Sequence, residues 1–208
     1  MKKFLLIDDH YVVRSGIKGL ISELYIPCTV DEAENDLEAI EKLKHNVYDL
    51  IVMDIQIPKA DMFGLMEYIH VTYPLARVLM FSMSAENIYA KRFLKAGAMG
   101  FLAKDSSMDE IKKALNTVFN NRKYISGALA EQLAEDSISD TPSNPFDKLS
   151  QREFEITTLL LSGISLGEIC KSLNLQSSTV GTHKARVFEK LHVTNILELK
   201  ELATTYNL

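Results

Sequence analysis

Four apolar runs in the first half of the chain each end on a residue able to do polar chemistry. Phe4-Leu5-Leu6-Ile7 ends on Asp8-Asp9, and Leu50-Ile51-Val52-Met53 ends on Asp54. Arg77-Val78-Leu79-Met80-Phe81 ends on Ser82, and Met99-Gly100-Phe101-Leu102-Ala103 ends on Lys104. Three carboxylates, a hydroxyl and a cation gathered on one rim suit a divalent cation beside a phosphoryl group. Carboxylates about 4 Å apart repel by roughly 4 kcal/mol per pair at an effective dielectric of 20, so a cation must hold them ionised together. Mg2+ fits, because it takes oxygen ligands and keeps waters and phosphate oxygens in its shell. Asp54, alone at the end of its run, is then the nucleophile that forms an acyl phosphate. Asp9 ligates the metal directly and Asp8 through water, Lys104 pairs with a phosphoryl oxygen, and Ser82 offers a hydrogen bond. Replacing one carboxylate by a group of about −2 leaves the cluster near −1. The added charge calls for a new donor, and Ser82 is placed to move towards it.

The elements that must position these residues are legible from periodicity. Strands are expected near 3–8, 28–33, 49–53, 77–82 and 99–103, with helices near 11–24, 36–45, 62–72, 86–96 and 107–120. In the first helix Val12, Val13, Ile17, Leu20, Ile21 and Leu24 recur at three- and four-residue steps. Strands alternating with helices imply a parallel sheet with right-handed crossovers. Five such units favour the doubly wound, flavodoxin-like order 2-1-3-4-5, in which ligands bind beyond the carboxyl ends of the strands. Ser107-x-x-Glu110 reads as a capping box opening the fifth helix.

Residues 121–149 change character. A short helix is expected over 127–135, and the polar stretch 136–145, with two prolines, reads as a flexible linker. From Leu149 onward the pattern is all helix, near 151–161, 166–173, 178–191 and 195–205, with capping boxes at Ser150/Glu153 and Ser165/Glu168. Only Asn174-Leu175-Gln176 separates the middle pair, the short turn of a helix-turn-helix. The expected division is an α/β domain over 1–122, a linker over 123–146 and an all-α domain over 147–208.

Bulk properties bound the function. Hydrophobic content of 47% and charged content of 25% over 208 residues fit a soluble globular chain. Asp8-Asp9 cuts the apolar run after Met1-Lys2-Lys3 too short for a signal peptide, and no run reaches the roughly 18–20 apolar residues of a membrane span. Cys28 and Cys170 are far apart in apolar surroundings, as expected of reduced thiols in a cytoplasmic protein without membrane attachment. Residues 147–208 carry 7 Lys+Arg and 7 Asp+Glu, so the net −5 belongs to the first 146 residues. Any nucleic-acid surface must therefore be local.

With these residues in place, 1–120 resembles the receiver domain of two-component response regulators. The resemblance assigns the same roles to Asp54, Asp8, Asp9, Ser82 and Lys104, adds the Gln56 backbone carbonyl as a metal ligand, and makes Phe101 the aromatic switch residue. It implies a sensor histidine kinase docking near the first helix, and no enzymatic activity beyond self-phosphorylation and autodephosphorylation at Asp54. Two places depart from the family pattern. Met62-Phe63 intervene between Asp61 and Gly64, where an Asp-Gly turn is usual, and Asp105 stands where many receivers have proline after the lysine. Residues 149–156 and 177–191 resemble the LuxR-type (NarL/FixJ) DNA-binding domain, whose third helix enters the major groove of double-stranded DNA in a protein dimer. RNA polymerase is a further candidate partner.

A helical wheel puts Val180 and Val187 on the packing face, against Ile169 and Leu173, and Ser178, Thr182, Ala185, Arg186 and Glu189 on the opposite face. Arg186 can grip guanine bidentately, Thr182 can meet a thymine methyl or a phosphate, and Lys184 and Lys190 suit phosphate. Thr179 and His183 complete the expected contact set, with His183 equally able to serve helix packing. Gly181, where the family often has lysine, weakens the helix by about 1 kcal/mol relative to alanine yet lets the backbone approach DNA closely. Two rivals are weighed. A Mg2+-dependent aspartyl-phosphate phosphatase would need a carboxylate two residues after its nucleophile, and position 56 is Gln. A DNA-binding regulator independent of phosphorylation, using its receiver to oligomerise, has no need of an intact acidic rim.

Overall fold

A computed structural model describes residues 1–84, 86–138, 144–206 and 208, with all side chains in those ranges except those of 87, 132 and 136–138. Five strands, β1 (Lys2–Ile7), β2 (Cys28–Ala33), β3 (Leu50–Met53), β4 (Val78–Ser82) and β5 (Gly100–Ala103), alternate with five helices. The helices are α1 (Tyr11–Leu24), α2 (Asp36–His45), α3 (Met62–Thr72), α4 (Glu86–Lys95) and α5 (Met108–Phe119). All strand pairs are parallel, in the order β2-β1-β3-β4-β5 expected from the sequence. Apolar residues on β3 and β4 are buried throughout because helices cover both faces of the sheet. Phe4, Leu6, Leu50, Val52, Leu79, Phe81 and Leu102 pack with Ile17, Ile21, Ala114 and Leu115 of α1 and α5 in one core cluster. Alternation along β5 then turns Phe101 to the other face, where it is fully buried.

The chain forms two compact units, Met1–Ala130 and Glu131–Leu208. The first runs past residue 122, where the sequence reading ended it, for a definite reason. Tyr124 forms a parallel bridge with Gly100, its N–H donating to the Met99 carbonyl and its own carbonyl accepting from Phe101. Its ring is buried in the α1/α5 core, and a Cβ on Gly100 would stand 2.8 Å from the Tyr124 carbonyl oxygen. A glycine at 100 is what admits this approach. Helix α6 (Gly127–Ile138) follows and outruns the expected 127–135. Residues 139–143 of the expected linker lie outside the described residues, and a 3-10 turn over Pro145–Lys148 opens the rest.

In the second unit, α7 (Gln151–Leu161), α8 (Leu166–Ser172), α9 (Ser177–Leu191) and α10 (Ile196–Thr205) match the expected four helices. Ser150/Glu153 and Ser165/Glu168 are complete, reciprocal capping boxes. The third box forms only by half. Ser107 accepts from the Glu110 N–H, but the Glu110 carboxylate turns to the Tyr124 hydroxyl and to Lys113, 3.1 Å away. Asn174 takes the left-handed conformation in the α8–α9 turn, which asparagine tolerates. No helix among the described residues is long and apolar enough to cross a membrane.

Candidate functional site

Parallel pairing aligns the strand ends and so gathers the candidate residues. Asp8 follows β1, Asp54 follows β3, Ser82 ends β4 and Lys104 follows β5. The backbone knits these ends together: Asp8 N–H donates to Ala33 O, Asp54 N–H to Ile7 O, and Lys104 N–H to Ser82 O. The Lys104 ammonium lies 2.6 Å from Asp8 Oδ2 and 2.8 Å from Asp54 Oδ2. Its side chain is only 7% exposed, so it is no solvated surface lysine. Burial pulls its pKa down, but the hydrogen bonds to Asp54 and Asp8 outweigh that and hold the ammonium above the usual lysine range.

Asp54 Oδ1 accepts from the Ile55 N–H at 2.6 Å and the Gln56 N–H at 3.2 Å. Asp8 Oδ1 accepts from the His10 N–H at 2.8 Å. The acidic pair does not cap α1, whose N-cap is His10. Asp9 Oδ1 lies 2.8 Å from His10 Nδ1 without the alignment of a hydrogen bond, and this buried oxygen has no hydrogen-bond partner. Ligand-type atoms of Asp8, Asp9, His10 and Asp54 all fall within 4.8 Å of one another. Three carboxylates set against the Lys104 ammonium leave a charge near −2 and one unsatisfied buried oxygen. That fits a divalent, oxygen-seeking cation. Gln56 lies in the loop after β3, exposed, with its N–H turned to Asp54.

The Ser82 hydroxyl is fully buried and donates to Ser84 Oγ at 3.2 Å, while the Ser84 N–H donates back at 3.3 Å. Ser84 escaped the sequence reading, since a serine two residues past a strand carries no signal of its own. The departure at 61–64 has a plain explanation. Asp61 caps α3 by accepting from the Gly64 N–H at 2.8 Å, and a Cβ on Gly64 would stand 2.6 Å from Asp61 Oδ2. Gly64 thus lies in the first turn of a helix, where its missing side chain makes room for the capping carboxylate.

On α9 the wheel is confirmed in its main lines. Val180 packs with Ile156, Leu160, Ile169 and Leu173; Val187 is buried but lies outside that cluster. Ser178, Gly181, Thr182, Ala185, Arg186 and Glu189 are exposed, and Thr179, His183 and Lys184 are half-buried. The Thr182 hydroxyl donates to the Ser178 carbonyl, and Lys184 Nζ sits 5.3 Å from the Phe188 ring centre. Lys190 is occupied within the domain. Its ammonium lies 2.6 Å from Oε2 of Glu153, whose side chain is buried, and donates to the Lys148 carbonyl. A DNA phosphate would compete with the buried Glu153 carboxylate for that ammonium. A Cβ on Gly181 would meet nothing within 4 Å, so packing inside the chain does not require glycine there.

Comparison with known proteins follows the same division. Residues 4–116 match the response regulator receiver domain, and residues 147–203 match the luxR family of bacterial regulatory proteins. The response regulator UvrY of Escherichia coli K12 is 30% identical, over 100% of this chain and 96% of its own. The response regulator GacA of Pseudomonas syringae pv. syringae B728a is 31% identical, over 100% and 98%. Among solved structures, RcsB from Salmonella enterica serovar Typhimurium, bound to the promoter rprA with the phosphomimetic BeF3−, shares the fold. Its TM-score is 0.75 at 22% identity, covering 98% of this chain and 99% of that one. The chain belongs to the two-component response regulators, with a receiver domain followed by a LuxR-family helix-turn-helix DNA-binding domain.

Proposed function

We propose that Asp54 is the phosphoacceptor of a transcriptional switch, with Asp9 and Asp8 holding Mg2+ together with Asp54 and the Gln56 carbonyl. The observation that carries this reading is the Lys104 ammonium shared between Asp8 and Asp54, beside the unsatisfied Asp9 oxygen. With Oδ1 held by two backbone amides, Asp54 Oδ2 is the oxygen that attacks phosphorus. The new P–O bond forms as the donor's bond to phosphorus breaks, and the leaving group departs with its electron pair. Lys104 then exchanges its Asp54 contact for a phosphoryl oxygen. When bound, Mg2+ neutralises charge on the transferring group. Ser82 leaves Ser84 for the phosphoryl group, and Phe101 repacks with it.

A sensor histidine kinase supplies the phosphoryl group in this reading, and the phosphorylated protein acts as a dimer on promoter DNA, where RNA polymerase is a candidate contact. Arg186, Thr182, Ser178 and Ala185 face the bases, with Gly181 allowing close approach; Thr179, His183 and Lys184 lie towards the backbone. Incubation with Mg2+ and acetyl phosphate should give an acid-stable, base-labile adduct of one phosphoryl group, visible by intact-mass spectrometry. Persistence of the adduct in Asp54→Asn would refute the assignment.

A further inference from the structure

A charged residue lies on the core stripe of α1. Arg14 shares that stripe with Ile17 and Ile21 and is 4% exposed. Nothing in the mechanism above uses it, and a buried guanidinium needs partners to offset its desolvation. Its partners lie at the end of β1, which carries the acidic pair, and at the end of the neighbouring β2. Nη1 donates to the Asp8 carbonyl at 2.5 Å, Nε to Glu32 Oε2 at 3.2 Å and Nη2 to Glu34 Oε1 at 2.6 Å. Arg14 also lines the narrow recess shared by Asp8 and Asp54.

These contacts fix the backbone on both sides of Asp8. The Asp8 N–H is held by Ala33 O and the Asp8 carbonyl by Arg14, so both backbone polar groups of Asp8 are pinned to neighbouring elements. The preceding peptide is tied to β2, and the Asp8–Asp9 peptide plane, which carries the Asp8 carbonyl, cannot turn without breaking the Arg14 hydrogen bond. The orientation of that plane decides where the Asp9 carboxylate points. Three contacts leave one side chain in three directions, which the planar fork of arginine allows and the single nitrogen of lysine does not. Glu32 has a second cation in Lys18, 2.7 Å away, so it stays compensated whatever happens at position 14.

We propose that Arg14 is a positioning residue for metal-dependent phosphorylation, locking the Asp8–Asp9 main chain so that the acidic pair is preset to receive the cation. The inference rests on the phosphoacceptor reading above. Residues that orient metal ligands from outside typically change metal affinity by about 10- to 100-fold when mutated.

The test uses the full-length protein, Arg14→Lys and Arg14→Met. Mg2+ alone is titrated by isothermal calorimetry, and adduct formation from acetyl phosphate is followed against Mg2+ concentration. Both variants should bind Mg2+ about 10-fold or more weakly, while at saturating Mg2+ the rate of adduct formation returns to within about threefold of wild type. A merely structural role would lower thermal stability and leave Mg2+ affinity unmoved. If Arg14→Met does not fold, Arg14→Lys decides, because it keeps the charge and loses the fork. Arg14→Lys with wild-type Mg2+ affinity would overturn the proposal while leaving the phosphoacceptor reading intact. Wild-type protein that binds no Mg2+ would overturn both.

Discussion

At the scale of single residues, the second domain is held by a pair that its sequence hides. Burial pushes the Glu153 carboxyl up, but Lys190 and the Ser150 amide and hydroxyl more than offset it, leaving its pKa below the usual carboxylate range. A folded-state value below the unfolded one gives stability that is present above the unfolded pKa, about 4.3. That stability is lost as pH falls through the folded value. Protection factors of the α7 and α9 amides against hydrogen exchange in the full-length protein should therefore fall on acidification below about pH 4.3, and Glu153→Gln should flatten that dependence. Lys190→Met should lower local stability by roughly 1–3 kcal/mol at neutral pH, because the buried Glu153 carboxylate keeps only its Ser150 donor and loses its charged one. Gly181→Ala separates two roles of the glycine. The alanine helix should gain about 0.5–1 kcal/mol, while DNA affinity falls at least fivefold, the equivalent of about 1 kcal/mol. Unchanged affinity would show that backbone approach at 181 is dispensable. Asp54, Lys104 and the exposed face of α9 could be picked out in advance because strand ends and helix faces follow from local pattern. Arg14 and the internal partner of Lys190 could not, since Glu32 and Glu153 lie 18 and 37 residues away and only the fold brings them near.

At the scale of elements, boundaries agree with the sequence reading to within a residue or two, α6 apart, because caps and apolar periodicity are local signals. The exceptions arise where a distant segment competes. Glu110 would have closed the box on α5, but the Tyr124 hydroxyl takes its carboxylate, holding that carboxyl below its ordinary range while burial and the nearby Glu110 push the Tyr124 phenol up. Tyr124 belongs to a stretch without periodicity, so nothing local announces that it docks. Tyr124→Phe tests the division of labour. Ser107 still caps α5, so exchange at that helix start should hardly change. The Phe101 N–H, which donates to the Tyr124 carbonyl at 3.3 Å, should lose protection several-fold. Equal loss at both places would mean that Tyr124 supports α5 as a whole. Ser126 extends the same stretch to α4 through its hydroxyl, 2.7 Å from Glu86 Oε2.

For the whole molecule, charge decides how DNA can be bound. The chain carries a net −5, and with Lys190 tied to Glu153 the cations left on α9 are Lys184 and Arg186, opposed by Glu189. One copy offers few phosphate contacts, so a single copy should bind weakly and two together far more tightly. If a dimer makes about six, binding to a labelled duplex should weaken on the order of 10³-fold between 50 and 200 mM salt; an affinity indifferent to salt would contradict a phosphate-based interface. Tyr124 carries a last consequence, for the solubility of the first domain. β5 is the final strand of the sheet, and a final strand offers its unpaired backbone groups to any strand that drifts past. Tyr124 occupies that position over Gly100 and Phe101. A fragment ended at residue 122 would leave this edge bare, whereas one ended at Ala130 keeps its guard. On size-exclusion chromatography the shorter fragment should self-associate at concentrations where the longer elutes as a monomer. Matching elution would mean that the edge is protected by other means. The first residues to leave the sheet are thus the ones that keep foreign strands off it.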